Sequence, residues 1–302
     1  MQSQDLKSHD VEPYPVLEDV SIVIPTLGRP ILKKSLDWIA DGSAWPKKLV
    51  IVDQSSSEQV AAWITDLRSR GINAEHLPSS QKGKAAALNR GIEQVTTRFV
   101  LVTDDDCFVD HCWVEKMATL LGQLPQAIIT GPAEPVGQEK VVSFVADRKP
   151  AIYRRPGLKF DTFCGSNMGV AKDVIKRIGP FDEDPHLVAA EDSEWVYRAL
   201  RTGVPVMFSP DVKVGHYGWR DSGERADRYH FYALSHGGFY GKYLRKGDWF
   251  IALRAVIHYL RALRRWLRGA LTGDHEAATI GRAYLVGLWP GIIATLRREK
   301  NL

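Results

Sequence analysis

Cysteine is scarce, with only Cys107, Cys112 and Cys164 in a chain of 302 residues. They form no CxxC pair and their number is odd, which argues against a disulfide framework or a structural zinc site and leaves buried thiols. The polar stretch up to Pro15 has no apolar core of the kind a signal peptide carries, so export is not expected and the chain is assigned to the cytoplasm. No GxGxxG follows a strand pattern and no GxxxxGK[ST] occurs, which removes the dinucleotide fingerprint and the P-loop. Internal repeats and low-complexity tracts are absent too. The charge-free stretch 283–296 is fourteen residues long and contains Pro290-Gly291, which predicts a segment too short to span a bilayer and better suited to lying in its interface.

Hydrophobic residues make up 44% of the chain, enough for an ordinary globular core. The net charge of +4 is unevenly spread. From Arg245 onward there are eleven Lys/Arg against four Asp/Glu, a local balance of +7 that leaves −3 on the preceding 244 residues. Apolar, β-branched runs at 20–24, 49–52, 99–102 and 127–130 alternate with helical periods at 31–40, 60–68 and 83–94. That alternation predicts an α/β domain built on a mostly parallel sheet flanked by helices. Further helices are expected near 171–178 and over 191–202. From Trp249 the apolar positions mark one helical face and arginines much of the rest, the pattern of a basic amphipathic helix. Three segments follow: a flexible N-terminal stretch 1–18, a catalytic domain 19–244, and a helical tail 245–302 poised for peripheral contact with an anionic membrane, which places the protein at the inner membrane face. Nucleic acid is a poor partner for that tail, because a phosphate backbone would not bury its wide apolar face.

Ligands of open α/β sheets bind beyond the carboxyl ends of the strands, where Pro25-Thr26, Asp53 and the triplet Asp104-Asp105-Asp106 all fall. Three adjacent carboxylates repel one another unless a cation or strong donors offset the cost. Alternate residues of an extended segment share a face, so Asp104 and Asp106 can serve one pocket while Asp105 turns aside. Hard oxygen donors at this place suit Mg2+ or Mn2+ carrying a phosphorylated substrate.

These features resemble the family 2 glycosyltransferases, inverting enzymes with the GT-A fold, over residues 20–216. The resemblance rests on Val20-Ser21-Ile22-Val23-Ile24-Pro25-Thr26, on Asp53 closing the second strand, on Lys82-Gly83-Lys84-Ala85-Ala86-Ala87-Leu88-Asn89-Arg90-Gly91, and on Asp104-x-Asp106 in the place of a DxD motif. Farther on come Gly165-Ser166-Asn167-Met168, Gly179-Pro180-Phe181-Asp182-Glu183, and Glu191-Asp192 in the place of the ED motif. By this resemblance Asp192 is the catalytic base. Pro25, Thr26, Asp53, Lys84, Arg90, Asp104 and Asp105 contact the nucleotide donor, with Asp53 on the base, usually uracil. Asn167, Glu191 and Arg198 stand near acceptor or donor, while Asp104, Asp106 and His216 hold the metal. The QxxRW motif and membrane helices of processive synthases are missing, so one sugar is transferred per encounter, from a UDP-sugar to a lipid-linked or polysaccharide acceptor. Two rivals come from other classes. A sugar-phosphate nucleotidyltransferase would need a glycine-rich loop after the first strand, where Pro25-Thr26-Leu27-Gly28-Arg29 offers one glycine. A degenerate, membrane-tethered glycan-binding scaffold would have no reason to keep the acids, Asp192 and His216 together.

Overall fold

The computed structural model describes residues 14–55, 57–137, 139–141, 143–158 and 163–297. Strands β1 (Val16–Thr26), β2 (Trp45–Asp53), β3 (Ala74–Pro78) and β4 (Phe99–Thr103) alternate with helices α1 (Ile31–Ala40), α2 (Glu58–Ser69) and α3 (Lys84–Glu93). Every residue from Val20 to Thr26 is buried, although successive side chains point to opposite faces, so both faces of the sheet are covered. Then follow β5 (Cys107–Val109), α4 (Trp113–Gln123), β6 (Ile128–Thr130), β7 (Ala133–Val136), β8 (Ala151–Tyr153), β9 (Asn167–Ala171) and α5 (Lys172–Ile178). A single 3-10 turn, Pro185–Leu187, precedes α6 (Glu191–Arg201), β10 (Val206–Phe208) and β11 (Val214–Tyr217). Helices α7 (Ser222–Leu244), α8 (Trp249–Thr272) and α9 (His275–Leu296) close the chain.

The main sheet has eight strands in the order β3-β2-β1-β4-β9-β6-β10-β8. Its first four are mutually parallel, whereas β9 runs antiparallel between β4 and β6. A separate three-stranded sheet, β5-β11-β7, sets His216 opposite Cys107 and thereby brings it beside the acid triplet.

Three expectations change. Strand β1 begins at Val16, where Val16 and Leu17 pair with Trp45 and Pro46, so order starts before the expected boundary at 19; residues 1–13 of that segment, and 298–302 of the tail, lie outside the described residues. The C-terminal helical layer begins at Ser222 rather than 245. Finally, α9 is a continuous 22-residue helix containing Pro290, long and apolar enough by length and composition to cross a membrane, with 33% of its most apolar stretch buried. Pro290 is tolerated because it and Val286, whose carbonyl loses its partner, both lie on the exposed side of the helix.

The tail packs on the body by its inner face. Tyr197 of α6, Phe239 and Tyr240 of α7, Ile251 of α8 and Leu288 of α9 form a second apolar cluster. Tyr197 Oη donates to Asp248 at 2.6 Å, and Lys242 bridges Glu194 and Asp182 at 2.6 and 2.5 Å.

Candidate active site

A cleft of about 1510 Å³ opens at the carboxyl ends of β1 and β4 and continues along the C-terminal helices. At its floor the triplet divides. Asp104 pairs with Lys84 at 2.6 Å. Asp105 accepts from Thr26 Oγ1 at 2.7 Å and pairs with Arg29 at 2.7 Å, so its carboxylate anchors the loop after β1 at the cleft floor. Asp106 accepts from Trp219 Nε1 at 2.9 Å and faces His216 Nε2 at 3.5 Å.

Asp106, Cys107 and His216 bring their ligating atoms within 4.8 Å of one another. Burial pushes the Cys107 thiol well up, and the neighbouring Asp106 and Asp104 add to that, so Cys107 stays protonated and is a poor ligand. Burial works against the charge of Asp106, but the hydrogen bond to His216, its charge and the Trp219 donor hold the carboxyl well below its usual range. His216 is opposed by burial and raised by Asp106, while its Nδ1 lies 2.9 Å from the Ser143 carbonyl. A carboxylate and an oriented imidazole suit a hard divalent ion. Asp104, expected as a third ligand, is instead taken up by Lys84.

Lys84 is the first residue of α3, and Gly83 before it has φ +112°, a conformation that favours glycine. Burial lowers the Lys84 pKa, yet Asp104, Glu191 and Asp192 together raise it well above the ordinary value. The two acids open α6, where the helix dipole favours negative charge. Asp192 accepts the Ser193 amide at 2.6 Å and the Gly165 amide at 3.1 Å. A Cβ on Gly165 would lie 2.8 Å from Asp192 Oδ2, so glycine is what lets that amide reach the carboxylate. Glu191 is buried, and its pKa is pushed up to about 8 by burial first and Asp192 next, against the pull of Lys84.

Pro25, Thr26, Lys84, Asp104, Asp105, Asp106, Glu191, Asp192 and His216 therefore share one cleft. Four expected site residues do not face it. Asn167 is fully buried, bonding Trp113 Nε1 through Oδ1 and the Pro132 and Val212 carbonyls through Nδ2. Arg198 is spent on the Ile178 and Pro180 carbonyls and on Glu194. Arg90 is exposed at the far end of α3, six residues and about 9 Å along the axis from Lys84. Asp53 is buried behind the cleft wall, with Oδ1 accepting from Ser55 and Oδ2 facing His76 at 2.9 Å. Two further residues, Trp219 and Arg29, support the site. The guanidinium carbons of Arg29 and Arg220 lie 4.8 and 4.0 Å from the Trp219 ring centre, fixing the indole that donates to Asp106.

The family model for glycosyl transferase family 2 matches residues 21–179, just over half of the chain. The chain belongs to that family. It is 28% identical over 217 residues to glycosyltransferase AglE of Haloferax volcanii, covering 68% of each protein. Among solved structures, S. aureus TarS 1–349 in complex with UDP-GlcNAc superposes with a TM-score of 0.57 at 15% identity, covering 88% of this chain and 91% of that one. GalNAc-T7 with UDP, GalNAc and Mn2+ gives a TM-score of 0.54 at 15% identity, covering 72% and 47%. Of the longer TarS chain it covers 55%. The fold is GT-A, with a C-terminal helical extension, and the protein is a glycosyltransferase.

Proposed function

We propose that this glycosyltransferase moves a sugar from a UDP-sugar to an acceptor hydroxyl with inversion, Asp192 acting as the base. The observation that carries this reading is the placement of Asp192, held by two backbone amides, in the same cleft as the Lys84–Asp104 and Asp106–His216 pairs. A hydroxyl is a weak nucleophile at neutral pH. As the acceptor oxygen bonds to the anomeric carbon, its proton passes to Asp192, and the bond to the diphosphate breaks with its electron pair leaving on the diphosphate. Lys84 stays charged and adds a positive field beside the donor phosphates. Asp106 and His216 would hold Mn2+ or Mg2+, which supplies Lewis-acid neutralisation of the leaving diphosphate. The UDP-GlcNAc bound by TarS and the UDP and Mn2+ bound by GalNAc-T7 support these choices of donor and ion. The exposed apolar faces of α8 and α9 support attachment to the membrane surface and a lipid-linked or polysaccharide acceptor.

UDP affinity, measured by calorimetry with manganese and again with chelator, tests the reading. Wild-type protein should bind at least tenfold more tightly with manganese, and Asp106→Ala should lose that difference. Equal affinity under both conditions would remove the metal from the mechanism.

A further inference from the structure

Beyond Asp192 the cleft becomes an arm walled by one face of each C-terminal helix. Arg228, Tyr232 and His236 line it at four-residue spacing on α7, and His258, Arg261 and Arg265 line it on α8. Tyr284 of α9 closes it, its ring centre 4.7 Å from that of His258. The arm starts at the base: Asp192 acts on His236, and Glu191 and Lys84 act on Tyr232. A group lying in it therefore reaches Asp192 from the side of the C-terminal helices. That is the acceptor's side.

Its charge is one-sided. Arg228, Arg261 and Arg265 line the arm and Arg220 stands where it meets the Trp219–Asp106 contact, against Asp274 and Glu276; Glu276 is already engaged by Lys140 and by Tyr229 Oη, and Arg261 donates one of its N–H groups to the Leu158 carbonyl at 2.7 Å. The Arg220 guanidinium is pushed down by burial first and then by Arg228, so these cations are close enough to repel. A neutral glycan calls for hydrogen bonds and stacking, whereas planar guanidinium forks match phosphate oxygens. The opposite side of α8 is apolar. Trp249, Leu253, Val256, Leu260, Leu267 and Leu271 are all exposed and fall within an arc of about 60° at about 100° per residue, while the arm-lining residues of α8 centre roughly opposite. One helix thus separates an arginine-lined arm from an unpartnered apolar face.

Resting on the base assignment above, we propose that the arm holds the phosphate linkage of the acceptor, a lipid-phosphate glycan carrier, through Arg228, Arg261 and Arg265, with the lipid running out over α8.

The test uses full-length protein saturated with UDP and manganese, titrated with geranyl diphosphate, geraniol and glucuronate. Geranyl diphosphate should bind at least tenfold more tightly than either of the others, and Arg228→Ala with Arg265→Ala should weaken it at least tenfold without moving UDP affinity. Because Arg265 is exposed, Arg265→Glu alone cannot disturb the core and should weaken binding in the same direction. Equal binding of geraniol or glucuronate, or unchanged affinity in both variants, would overturn the proposal. So would phosphatidylglycerol vesicles that depend on the same arginines while geranyl diphosphate does not bind, since the arginines would then read bulk headgroups. UDP affinity on the same samples reports separately on the donor: should UDP not bind, geranyl diphosphate titrated with chelator present still decides the arm.

Discussion

Asp192 receives the amide hydrogens of Ser193 and Gly165 at 2.6 and 3.1 Å, while Glu191, one residue earlier, is buried with its Oε2 lacking a hydrogen-bond partner among the described residues. The two carboxyls at the start of α6 are thus held by different means and answer to different tests. Asp192→Asn keeps the shape and one of the two amide contacts, because Ser193 and Gly165 donate to different oxygens, but it cannot take a proton, so transfer should fall on the order of 100- to 10,000-fold with UDP affinity nearly unchanged. Turnover close to wild type would exclude Asp192 as the base. Glu191 makes a statement about stability. Its pKa rises from 4.5 in the unfolded chain to about 8, so the folded protein binds the extra proton between those values. The stability due to that proton is fully present below pH 4.5 and is lost as the pH rises through about 8. Melting temperature should therefore decline across that window in the wild type and decline less in Glu191→Gln, a comparison made by thermal denaturation at a series of pH values. Parallel curves would mean Glu191 is charged in the fold. Asn167 makes the opposite case to an acceptor ligand, since three buried partners depend on its amide. Asn167→Ala should destabilise the protein by about 2–4 kcal/mol in a urea melt, because those partners are left unpaired in the interior.

At the scale of elements, the helical tail rests on close backbone approach. A Cβ on Gly291 would lie 2.1 Å from the Leu234 carbonyl oxygen, and one on Gly237 would lie 2.2 Å from that of Leu288, so α7 and α9 meet at a point where only glycine fits. Gly291→Leu should open that contact and raise protease cleavage in α9 while the apolar core around β1 to β4 stays protected, which limited proteolysis with mass mapping will read. The buried runs of those strands, closed by Pro25-Thr26, Asp53 and the triplet, were legible from the sequence because parallel strands covered on both faces are continuously apolar. The small sheet was not. Strands β5, β7 and β11 have three or four residues each and pair across roughly 80 to 110 positions of chain, so no local period announces them. Helix α7 was hidden for another reason: its buried residues are mostly aromatic and glycine, with Ala233 and Ser235, rather than a regular aliphatic stripe. Motif order placed Asp192, Lys84 and His216 in the cleft, but spacing could not tell that Asn167, Arg198 and Asp53 turn inward, because each is held by carbonyls or side chains distant in sequence.

For the whole molecule, the C-terminal layer has two sides with different demands. Its inner side is occupied, by the body through Tyr197 and by the arm of the cleft. Its outer side carries the α8 stripe and, beside it, Val286, Trp289, Ile293 and Leu296 of α9, with the rings of Tyr259 and Trp289 6.3 Å apart where the two stripes meet. Trp249 is 74% exposed, Leu271 86% and Trp289 53%, far more apolar surface than a soluble face usually leaves open. Arg264 and Arg268 follow the edge of the α8 stripe, where they would meet lipid phosphates while tryptophan and leucine enter the interface. Full-length protein should therefore sediment with phosphatidylglycerol vesicles and much less with phosphatidylcholine ones. Salt should weaken the binding, since the Debye length contracts to about 3 Å at 1 M, but should not abolish it while the apolar residues still insert. Leu260→Asp with Trp289→Asp, both on the exposed side, should lower the bound fraction severalfold and leave UDP affinity intact. If the wild type ignores both kinds of vesicle and light scattering shows a dimer that these substitutions dissociate, the face belongs to a second copy of the chain.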